Sequence, residues 1–396
     1  MRILFFANYS LLYGANRSML TLLRYLKKKG CEIKVMLPHH GEVEEELTAS
    51  GIDYEVFRLF NQFLYVKFDR KYILLPLLIL WDILVFPLIL YKARRFRPDL
   101  IYSNTAAECV GVLVAKCLRI HHVWHIREFM DRDHKKYFLF GNKVRQWYIN
   151  LSDGIVFVSR AVADGILHGK IREDKHKVVY NGLDLPDISI SEKHVSGLKP
   201  DLGMVGLLCE GKGQLTVIKL LPDILKHYPN ATLHIFGDRE SSYKSHVVDV
   251  VKELDVTSHV VFHGFVKEQK DIYPNVDILL MCSESEGFGR VTVEAMTYGV
   301  PVIGYDNAGT SEIVKDGQNG FLYMKPNDIP VCMEKLLCSD ERFNSFRLQA
   351  REYAQSEFSI NRYCSEVYNF IARFTPPQWV RLNDFHPGGS IFVKAA

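Results

Sequence analysis

Residues 278–296 have the sequence ILLMCSESEGFGRVTVEAM, and this stretch decides the fold. A run of four apolar residues comes first, a glycine-containing turn follows, and an amphipathic helical pattern begins after the turn. This order is typical of the strand–loop–helix units that build parallel α/β sheets. Gly299 lies just beyond the helical pattern, where a glycine commonly ends a helix. The stretch therefore predicts a buried parallel strand whose loop leads directly into a helix.

Short apolar runs alternate with helical patterns through the rest of the 396 residues as well. At about 100 to 200 residues per domain, this length indicates two domains. Asn181-Gly182 is a strong turn signal between the halves. We predict two doubly wound, Rossmann-like α/β domains, residues 1–180 and 181–358, followed by residues 359–396, a helical pattern with an irregular tail. The predicted strands are residues 3–7, 32–37, 100–103, 123–126, 154–158, 201–208, 231–236, 259–262, 278–281 and 302–305.

The composition excludes some classes of protein and conceals a division of charge. With 48% apolar and 24% charged residues, the chain is neither disordered nor a small disulfide-bonded scaffold. The net charge is +3, but it is unevenly distributed. Residues 1–180 contain 28 Lys and Arg and 18 Asp and Glu, whereas residues 181–396 contain 21 Lys and Arg and 28 Asp and Glu. The eight cysteines are scattered, which favours reduced thiols in a cytoplasmic protein. The N-terminal apolar run is shorter than a signal peptide requires.

One long apolar segment, residues 72–91, is as long as a bilayer-spanning helix. Asp82 lies near its centre, prolines occur at positions 76 and 87, and basic residues flank both of its ends. A central Asp costs about 3 kcal/mol on insertion into a bilayer, and basic flanks on both sides give a span no preferred orientation. Three interpretations stay open: a buried or groove-lining helix pair, a helix in the membrane interface, and a true span.

The loop within residues 278–296 has the features of a phosphate site. A helix N-terminus reached through glycines presents backbone N–H groups and the positive end of the helix dipole, which suits a phosphate or diphosphate. Glu286 precedes this terminus, and Glu294 follows eight residues later, at most about 12 Å along a helix. Carboxylates at that separation suit the hydroxyl groups of a bound nucleotide sugar. The alternative is a solvated helix with ordinary surface glutamates.

The same residues carry a resemblance to a known family. Glu286 and Glu294, separated by seven residues and followed by Gly299-Val300-Pro301, resemble the signature of retaining GT-B glycosyltransferases of glycosyltransferase family 4. Supporting motifs occur in order over about residues 1–370. They are Tyr13-Gly14-Ala15-Asn16-Arg17-Ser18, Pro98-Asp99-Leu100-Ile101-Tyr102-Ser103-Asn104, His125-Ile126-Arg127-Glu128, Asn181-Gly182-Leu183-Asp184, Gly211-Lys212-Gly213-Gln214, Phe236-Gly237-Asp238 and Gly309-Thr310-Ser311-Glu312-Ile313-Val314.

The resemblance implies a GT-B fold, in which two Rossmann-like domains face each other across a cleft and the final helix returns to the N-terminal domain. The first domain would bind the acceptor and the second a nucleoside diphosphate sugar. The catalytic residues would be His125 and Glu286, with Glu286 contacting hydroxyls of the donor sugar. Glu294 would accept hydrogen bonds from the donor ribose, and Lys212 would neutralise the leaving diphosphate. Further substrate contacts would come from Gly14, Gly287, Phe288, Gly289, Arg290 and Val291.

Some of these roles have alternatives, and one family feature is missing. His125 could be a packed histidine at the end of a strand, and Arg127 and Glu128 could form an interdomain salt bridge. The family commonly has Gly-Arg-Leu in the first strand of the second domain, where residues 205–208 are Val-Gly-Leu-Leu. We hypothesise that Arg290 supplies the missing positive charge at the diphosphate.

Motifs of other enzyme classes fail on their chemistry. Residues 206–213 imitate a P-loop, but Gly213 stands where Ser or Thr should hold Mg²⁺. Asp131-Arg132-Asp133 imitates the Asp-x-Asp metal site of the other major glycosyltransferase fold, and we interpret it as solvated surface. No Gly-x-Gly-x-x-Gly connects a strand to a helix, so a nicotinamide enzyme is unsupported.

The predicted activity is retaining transfer of a hexosyl group from a UDP- or GDP-sugar to a saccharide or lipid-linked acceptor in cell-surface polysaccharide synthesis. The resemblance implies no metal, no other cofactor and no nucleic acid partner. We expect a cytoplasmic protein with peripheral contact to the inner face of the cell membrane through residues 67–97. The alternatives are a nucleotide-sugar 2-epimerase of the same fold and a non-catalytic glycosyltransferase-like partner subunit.

Overall fold

The computed structural model describes residues 1–59, 65–66, 75–134, 137–138, 141–169, 172–186, 188–195, 199–238 and 240–375. The chain forms two compact units. Unit 1 consists of Met1–His125, Tyr137–Val156 and the chain from Glu366 onward, and unit 2 consists of Ile126–Lys136 and Phe157–Ser365. Residues 157–180 thus belong to unit 2, whereas the predicted boundary assigns them to the first domain. The limits of the functional domains stay a prediction.

The first half of the chain forms one large sheet and one small one. Its strands are β1 (Arg2–Ala7), β2 (Glu32–Leu37), β3 (Asp53–Val56), β4 (Tyr65–Val66), β5 (Leu100–Asn104), β6 (His121–Ile126), β7 (Tyr137–Phe138), β8 (Gly154–Phe157) and β9 (His176–Val178). Its helices are α1 (Gly14–Lys28), α2 (Val43–Ala49), α3 (Leu75–Phe96), α4 (Val110–Leu118), α5 (Asp131–His134), α6 (Gly141–Asn150) and α7 (Arg160–Leu167). The large sheet has the order β3-β2-β1-β5-β6-β8-β9, and β4 pairs antiparallel with β7.

The second half forms a six-stranded sheet. Its strands are β10 (Asp201–Val205), β11 (Thr232–Phe236), β12 (Val260–Gly264), β13 (Ile278–Met281), β14 (Val302–Tyr305) and β15 (Gly320–Tyr323). Its helices are α8 (Gln214–His227), α9 (Ser242–Glu253), α10 (Arg290–Thr297), α11 (Ala308–Ile313), α12 (Ile329–Leu336), α13 (Asp340–Glu357) and α14 (Ile360–Ala372). The order is β12-β11-β10-β13-β14-β15, and every neighbouring pair in it is parallel.

Both large sheets are doubly wound, which confirms the predicted α/β class. In each one the chain starts at a central strand, β1 or β10, moves outward on one side, and then crosses to β5 or β13 on the other side. Such a reversal leaves a crevice outside the carboxyl ends of the two central strands, where proteins of this architecture bind ligands. All residues of β13 are buried, as expected for a strand covered by helices on both faces of the sheet.

Arg127 holds three distant segments of unit 2 together. Its buried guanidinium donates to Oδ1 of Asn181 at 2.6 Å and to the hydroxyl of Tyr363 at 2.9 Å. Asn181 lies in the predicted turn between the halves, and Tyr363 lies in α14. A buried cation needs such partners, because removing one partner of a buried charge commonly costs about 3–5 kcal/mol.

A buried polar network in unit 1 crosses from α4 to the large sheet. Glu108 accepts hydrogen bonds from the backbone N–H of Val110 at 2.8 Å and from the hydroxyl of Ser103. The same Ser103 hydroxyl lies 2.9 Å from Nε2 of His122, and Nδ1 of His122 lies 2.9 Å from the hydroxyl of Ser152. Burial raises the pKa of Glu108 to about 7 and lowers the pKa of His122 to about 3. His122 is therefore neutral, and Glu108 titrates near neutral pH.

We expect Glu108→Gln to remove a pH dependence of stability. Because the pKa of Glu108 is raised on folding, its contribution is fully favourable below pH ~4.5 and is lost as the pH rises through about 7. The loss amounts to roughly 3 kcal/mol. The unfolding temperature of the variant, relative to wild type, should therefore rise from pH 5 to pH 8. Glu45→Gln, at an exposed position of α2, is the control: its unfolding temperature should differ from that of wild type by the same amount at pH 5 and pH 8. The same pH-independent difference for Glu108→Gln would contradict the prediction.

The apolar segment 72–91 contributes to a single helix, α3, which continues through Pro87. The inner face of α3 packs on the core of unit 1 through Ile89, Ala93 and Phe96. Most of its outer side chains are exposed, so the interpretation as a buried helix pair is wrong. Among the described helices, residues 76–96 are long and apolar enough to cross a membrane by length and composition.

Candidate active site

Two loops of unit 2 meet where the strand order of the second sheet reverses. One follows β10 and contains a 3₁₀ turn, Glu210–Lys212, and the other connects β13 to α10. The Nζ atom of Lys212 lies 2.7 Å from Oε2 of Glu286, and the backbone N–H of Glu284 donates to the carbonyl of Gly211 at 3.1 Å. Lys212 and Glu286, which are 74 residues apart in the sequence, therefore form one ion pair.

Gly289 forms the N-cap of α10. Its φ of +91° is a conformation that residues with a Cβ adopt only with strain. A glycine cap leaves the N–H groups of the first turn, which contains Arg290 and Val291, without a capping side chain. Helix N-termini of this kind bind anions well. Gly287 and Phe288, which directly precede the cap, are buried. Five of the predicted substrate-binding residues, 287–291, are thus consecutive and lie at the start of α10.

The loop that contains Gly287 and Phe288 rests on Gly309 at the start of α11. The N–H of Gly309 donates to the carbonyl of Glu286 at 2.8 Å. A Cβ at position 309 would lie 2.7 Å from the carbonyl oxygen of Phe288, 2.8 Å from that of Glu286 and 2.9 Å from that of Gly287. Since no side chain fits at these distances, the glycine is what lets α11 support the loop directly.

The ring of Phe288 anchors the same loop in an aromatic cluster. It stacks on Tyr180 with ring centroids 6.1 Å apart and meets Phe358 edge to face at 5.7 Å. The hydroxyl of Tyr180 donates to Glu312 at 2.8 Å, and Glu312 also accepts the backbone N–H of Ala161 at 2.6 Å. The loop is therefore supported by its backbone on Gly309 and by its side chain on this cluster.

Glu294 is almost fully buried, and both of its carboxylate oxygens accept hydrogen bonds. Oε1 accepts from Nε of Arg290 at 2.7 Å, and Oε2 accepts from the hydroxyl of Tyr273 at 3.0 Å. Burial, together with the charge of Glu294, raises the pKa of Tyr273 well above its usual value, so this hydroxyl stays protonated and donates. The alternative interpretation of Glu294 as a solvated surface residue is therefore wrong.

The resemblance assigns the donor ribose to Glu294, and on that assignment we expect Tyr273→Phe to weaken binding of nucleoside diphosphates by about tenfold. The variant loses one hydrogen bond to a charged group, which typically contributes about 1.5–3 kcal/mol and here orients the Glu294 carboxylate. Calorimetric titration with the free nucleoside diphosphates measures the effect. Tyr298→Phe is the matched control, because Tyr298 packs on Tyr273 with ring centroids 5.4 Å apart. Equal affinity of the two variants would show that the hydroxyl of Tyr273 does not orient Glu294.

The two predicted site residues of unit 1 lie at the carboxyl edge of the large sheet. His125 is buried in β6, and its Nδ1 lies 2.6 Å from the hydroxyl of Tyr102 in β5. Its register partner in β5 is Asn104, whose side-chain amide reaches Oδ1 of Asn16 at 3.4 Å. Asn16 belongs to α1, which begins at Gly14. Gly14 and His125 are thus connected through two asparagines at one sheet edge.

Two positively charged side chains, Lys212 and Arg290, lie at the Glu286 loop, and each is paired with a carboxylate. In the part of the chain that the structure describes, no group of three or more His, Cys, Asp or Glu residues could hold a metal ion. The metal independence implied by the resemblance stays a prediction.

Three residues that shape the site were given no role from the sequence: Tyr180, Tyr273 and Gly309. Gly309 occurs in one of the matching motifs, so the motif itself was a usable signal. Tyr273 lies in a short 3₁₀ turn 21 residues before Glu294, and nothing in the local sequence connects the two. Tyr180 borders the Asn-Gly turn, which predicts a boundary but not a contact with Phe288.

Comparison with protein families agrees with this geometry. Residues 13–186 match the family model of glycosyltransferase family 4, and residues 188–353 match that of glycosyl transferases group 1. An uncharacterized glycosyltransferase of Methanocaldococcus jannaschii is 32% identical over 214 residues, which are 50% of this chain and 54% of the relative. The lipopolysaccharide 1,6-galactosyltransferase of Escherichia coli is 27% identical over 243 residues, 60% and 64% of the two chains. The chain thus spans less than two thirds of the length of either relative.

Solved structures of other glycosyltransferases share the fold. HepE of Anabaena, crystallised with UDP and glucose, matches with a TM-score of 0.76 at 23% identity over 94% of this chain and 99% of that chain. The lipopolysaccharide outer core galactosyltransferase WaaB matches with a TM-score of 0.71 at 18% identity over 94% and 99%. These neighbours have the GT-B fold. The two family matches adjoin and cover both halves of the chain. The chain therefore belongs to the GT-B glycosyltransferases of family 4, which are also described as glycosyl transferases group 1.

Proposed function

We propose that the protein is a retaining glycosyltransferase that moves a sugar from a UDP- or GDP-sugar to a saccharide or lipid-linked acceptor in cell-surface polysaccharide synthesis. The observation that carries the proposal is the Lys212–Glu286 ion pair beside the glycine-capped start of α10. A cation, a hydroxyl acceptor and an anion-binding helix end are thereby combined in two adjacent loops. These groups complement a sugar joined to a diphosphate.

In the proposed reaction the bond between the anomeric carbon and the diphosphate oxygen breaks, and the acceptor oxygen forms its bond on the same face of the sugar. The acceptor proton leaves with the diphosphate. Negative charge develops on the leaving oxygen, where Lys212 and the first-turn N–H groups of α10 stabilise it. Glu286 accepts hydrogen bonds from the donor sugar, Glu294 accepts those of the ribose, and His125 contacts the reacting sugar.

Arg290 is proposed to replace the arginine that the family commonly has in its Gly-Arg-Leu motif. Its Nε is bound to Glu294, so the same guanidinium connects the proposed ribose acceptor with the start of α10. We expect Arg290→Ala to raise the KM for the donor by about tenfold, as loss of a charge-assisted hydrogen bond predicts. Initial rates over a range of donor concentrations measure the change. A KM equal to that of wild type would remove Arg290 from the diphosphate site.

The decisive experiment is a donor screen by mass spectrometry. The purified protein is incubated with UDP- and GDP-sugars, with and without oligosaccharide and lipid-linked acceptors, and we expect a glycosylated product from one donor. The anomeric configuration of that product, measured by NMR, tests retention, and unchanged activity with excess EDTA tests metal independence. Free epimer or free sugar without acceptor would favour the 2-epimerase. Neither binding nor turnover of any donor would favour the non-catalytic subunit.

We also propose a cytoplasmic location with peripheral contact to the inner face of the cell membrane. The excess of Lys and Arg in residues 1–180 and the exposed outer face of α3 support it. A polysaccharide precursor carried on lipid would be presented at that face, and a basic acceptor domain would be attracted to anionic headgroups. Fractionation of cells that produce the protein tests the location: release from the membrane fraction by salt is expected.

A further inference from the structure

Helix α3 presents an apolar face that the proposed reaction does not use. Six large side chains at helical spacing form one stripe, which we call the α3 stripe: Leu77, Leu80, Trp81, Leu84, Leu88 and Tyr91. Their exposed fractions range from 45% to 67%. Scattered exposed apolar residues are ordinary on a soluble protein, but a contiguous apolar surface of this kind commonly marks an interaction site.

The opposite face of α3 is fastened to unit 1. Ile89 and Ala93 pack in a core cluster that also contains residues of β1, β5 and α4. Asp82 is buried on this inner side, and the indole N–H of Trp81 donates to the carbonyl of Arg58 at 2.6 Å. To cross a bilayer, α3 would have to leave this core and move Asp82 into hydrocarbon. The Asp alone disfavours insertion by roughly a hundredfold. The helix is therefore held along the surface of the unit.

Basic side chains continue the α3 stripe at its C-terminal end. Arg95 follows Tyr91 by one helical turn on the same face, Arg94 lies beside it, and Arg97 comes directly after the helix. All three arginines are exposed. Trp81 and Tyr91 have amphipathic rings of the kind that lie at membrane–water interfaces. An apolar stripe about 21 Å long with cations at one end complements the hydrocarbon and the phosphates of an anionic bilayer.

We propose that the α3 stripe, together with Arg94 and Arg95, docks the protein on an anionic lipid bilayer, with α3 lying flat in the interface. This inference rests on the proposed function for its purpose, which is to bring the acceptor domain to a lipid-borne acceptor. The docking itself depends only on the exposed side chains of α3. The proposed partner is the lipid surface and not a second protein.

Co-sedimentation with vesicles tests the docking. The full-length protein should bind vesicles of phosphatidylcholine mixed with phosphatidylglycerol more tightly than vesicles of phosphatidylcholine alone, and salt should weaken the difference. The double variant Leu84→Ser/Leu88→Ser should bind the mixed vesicles at least about tenfold more weakly, because it removes apolar area from the interface. Leu348→Ser on α13, 51% exposed, is the matched control and should bind like wild type.

Quenching by brominated lipids tests the flat orientation. Bromine atoms near the headgroup should quench the fluorescence of Trp81 more strongly than bromine atoms near the bilayer centre, and Trp81→Phe should lose this quenching. Trp147, an exposed tryptophan of α6, provides the control: Trp147→Phe should keep the quenching pattern of wild type. Strong quenching from the bilayer centre would overturn the flat orientation in favour of a span.

Three results would overturn the docking. The first is no binding to the mixed vesicles at low salt, and the second is equal binding of wild type and Leu84→Ser/Leu88→Ser. The third is a dimer that wild type forms without lipid in sedimentation velocity and that Leu84→Ser/Leu88→Ser does not form. The last result would identify a second copy of the chain as the occupant. Binding of nucleoside diphosphates, measured in solution with the same variants, should be unchanged. Vesicle binding without any donor turnover would refute the proposed function and leave the docking intact.

Discussion

Lys212→Ala is expected to lower the rate constant of the proposed sugar transfer by about 10²–10³-fold, because it removes the preorganised charge that the proposed mechanism places at the leaving diphosphate. In the structure Nζ of Lys212 is held 2.7 Å from Oε2 of Glu286, so the cation is positioned before any phosphate arrives. The loss should appear mainly in kcat, since charge on the leaving oxygen is greatest in the transition state. Steady-state rates with the donor identified in the screen measure it.

The effect of Lys212→Ala should be separable from stability. Both partners of the ion pair are partly exposed, so breaking it should cost under about 1 kcal/mol and barely move the unfolding temperature. Lys219→Ala is the matched control, because Lys219 is an exposed lysine of the following helix, α8. A kcat within about threefold of wild type for Lys212→Ala would remove Lys212 from the proposed transition state.

The second large effect is expected from Gly309→Ala. The added methyl group would stand 2.7–2.9 Å from three carbonyl oxygens of the Glu286 loop, so the loop or α11 must shift. A displacement of about 1 Å at a reacting group commonly costs about a hundredfold in rate. We therefore expect kcat/KM to fall by about that factor, together with a destabilisation of roughly 1–3 kcal/mol from overpacking.

A control distinguishes this steric effect from the general consequences of replacing a glycine. An added Cβ at Gly211, in the neighbouring loop, meets no atom within 4 Å. Gly211→Ala should therefore keep the wild-type unfolding temperature and most of the activity. If Gly309→Ala had the kinetics of Gly211→Ala, the loop would not depend on direct support by α11.

The sequence predicted the central strands well because they are buried on both sides. All ten predicted strands exist, and Ile278–Met281 and Val302–Tyr305 agree at both ends. Among the strands that the structure describes, five were missed: β3, β4, β7, β9 and β15. Each lies at an edge of its sheet, and β3 and β9 contain polar residues, so an apolar run does not mark them. Their strand conformation depends on pairing with a neighbour, which a local pattern cannot show.

The candidate site shows the same limit. Motifs indicated Lys212, Glu286 and Glu294, since these residues lie in loops and a helix that have recognisable turn chemistry. The contacts that orient them come from Tyr273 and Gly309, which are distant in the sequence and reach the site only through tertiary packing. Which residues meet at the candidate site was therefore predictable from residue type and spacing, whereas the contacts that position them were not.

The contacts of Arg127 have a practical consequence for protein engineering. Halves of related glycosyltransferases could be exchanged to give one donor module a new acceptor preference, and the turn at Asn181 is the obvious place to join them. A fusion at that turn would take Arg127 from one parent and Asn181 and Tyr363 from the other. Grafting residues 126–136 and 157–365 as one module would keep this buried triad within a single parent.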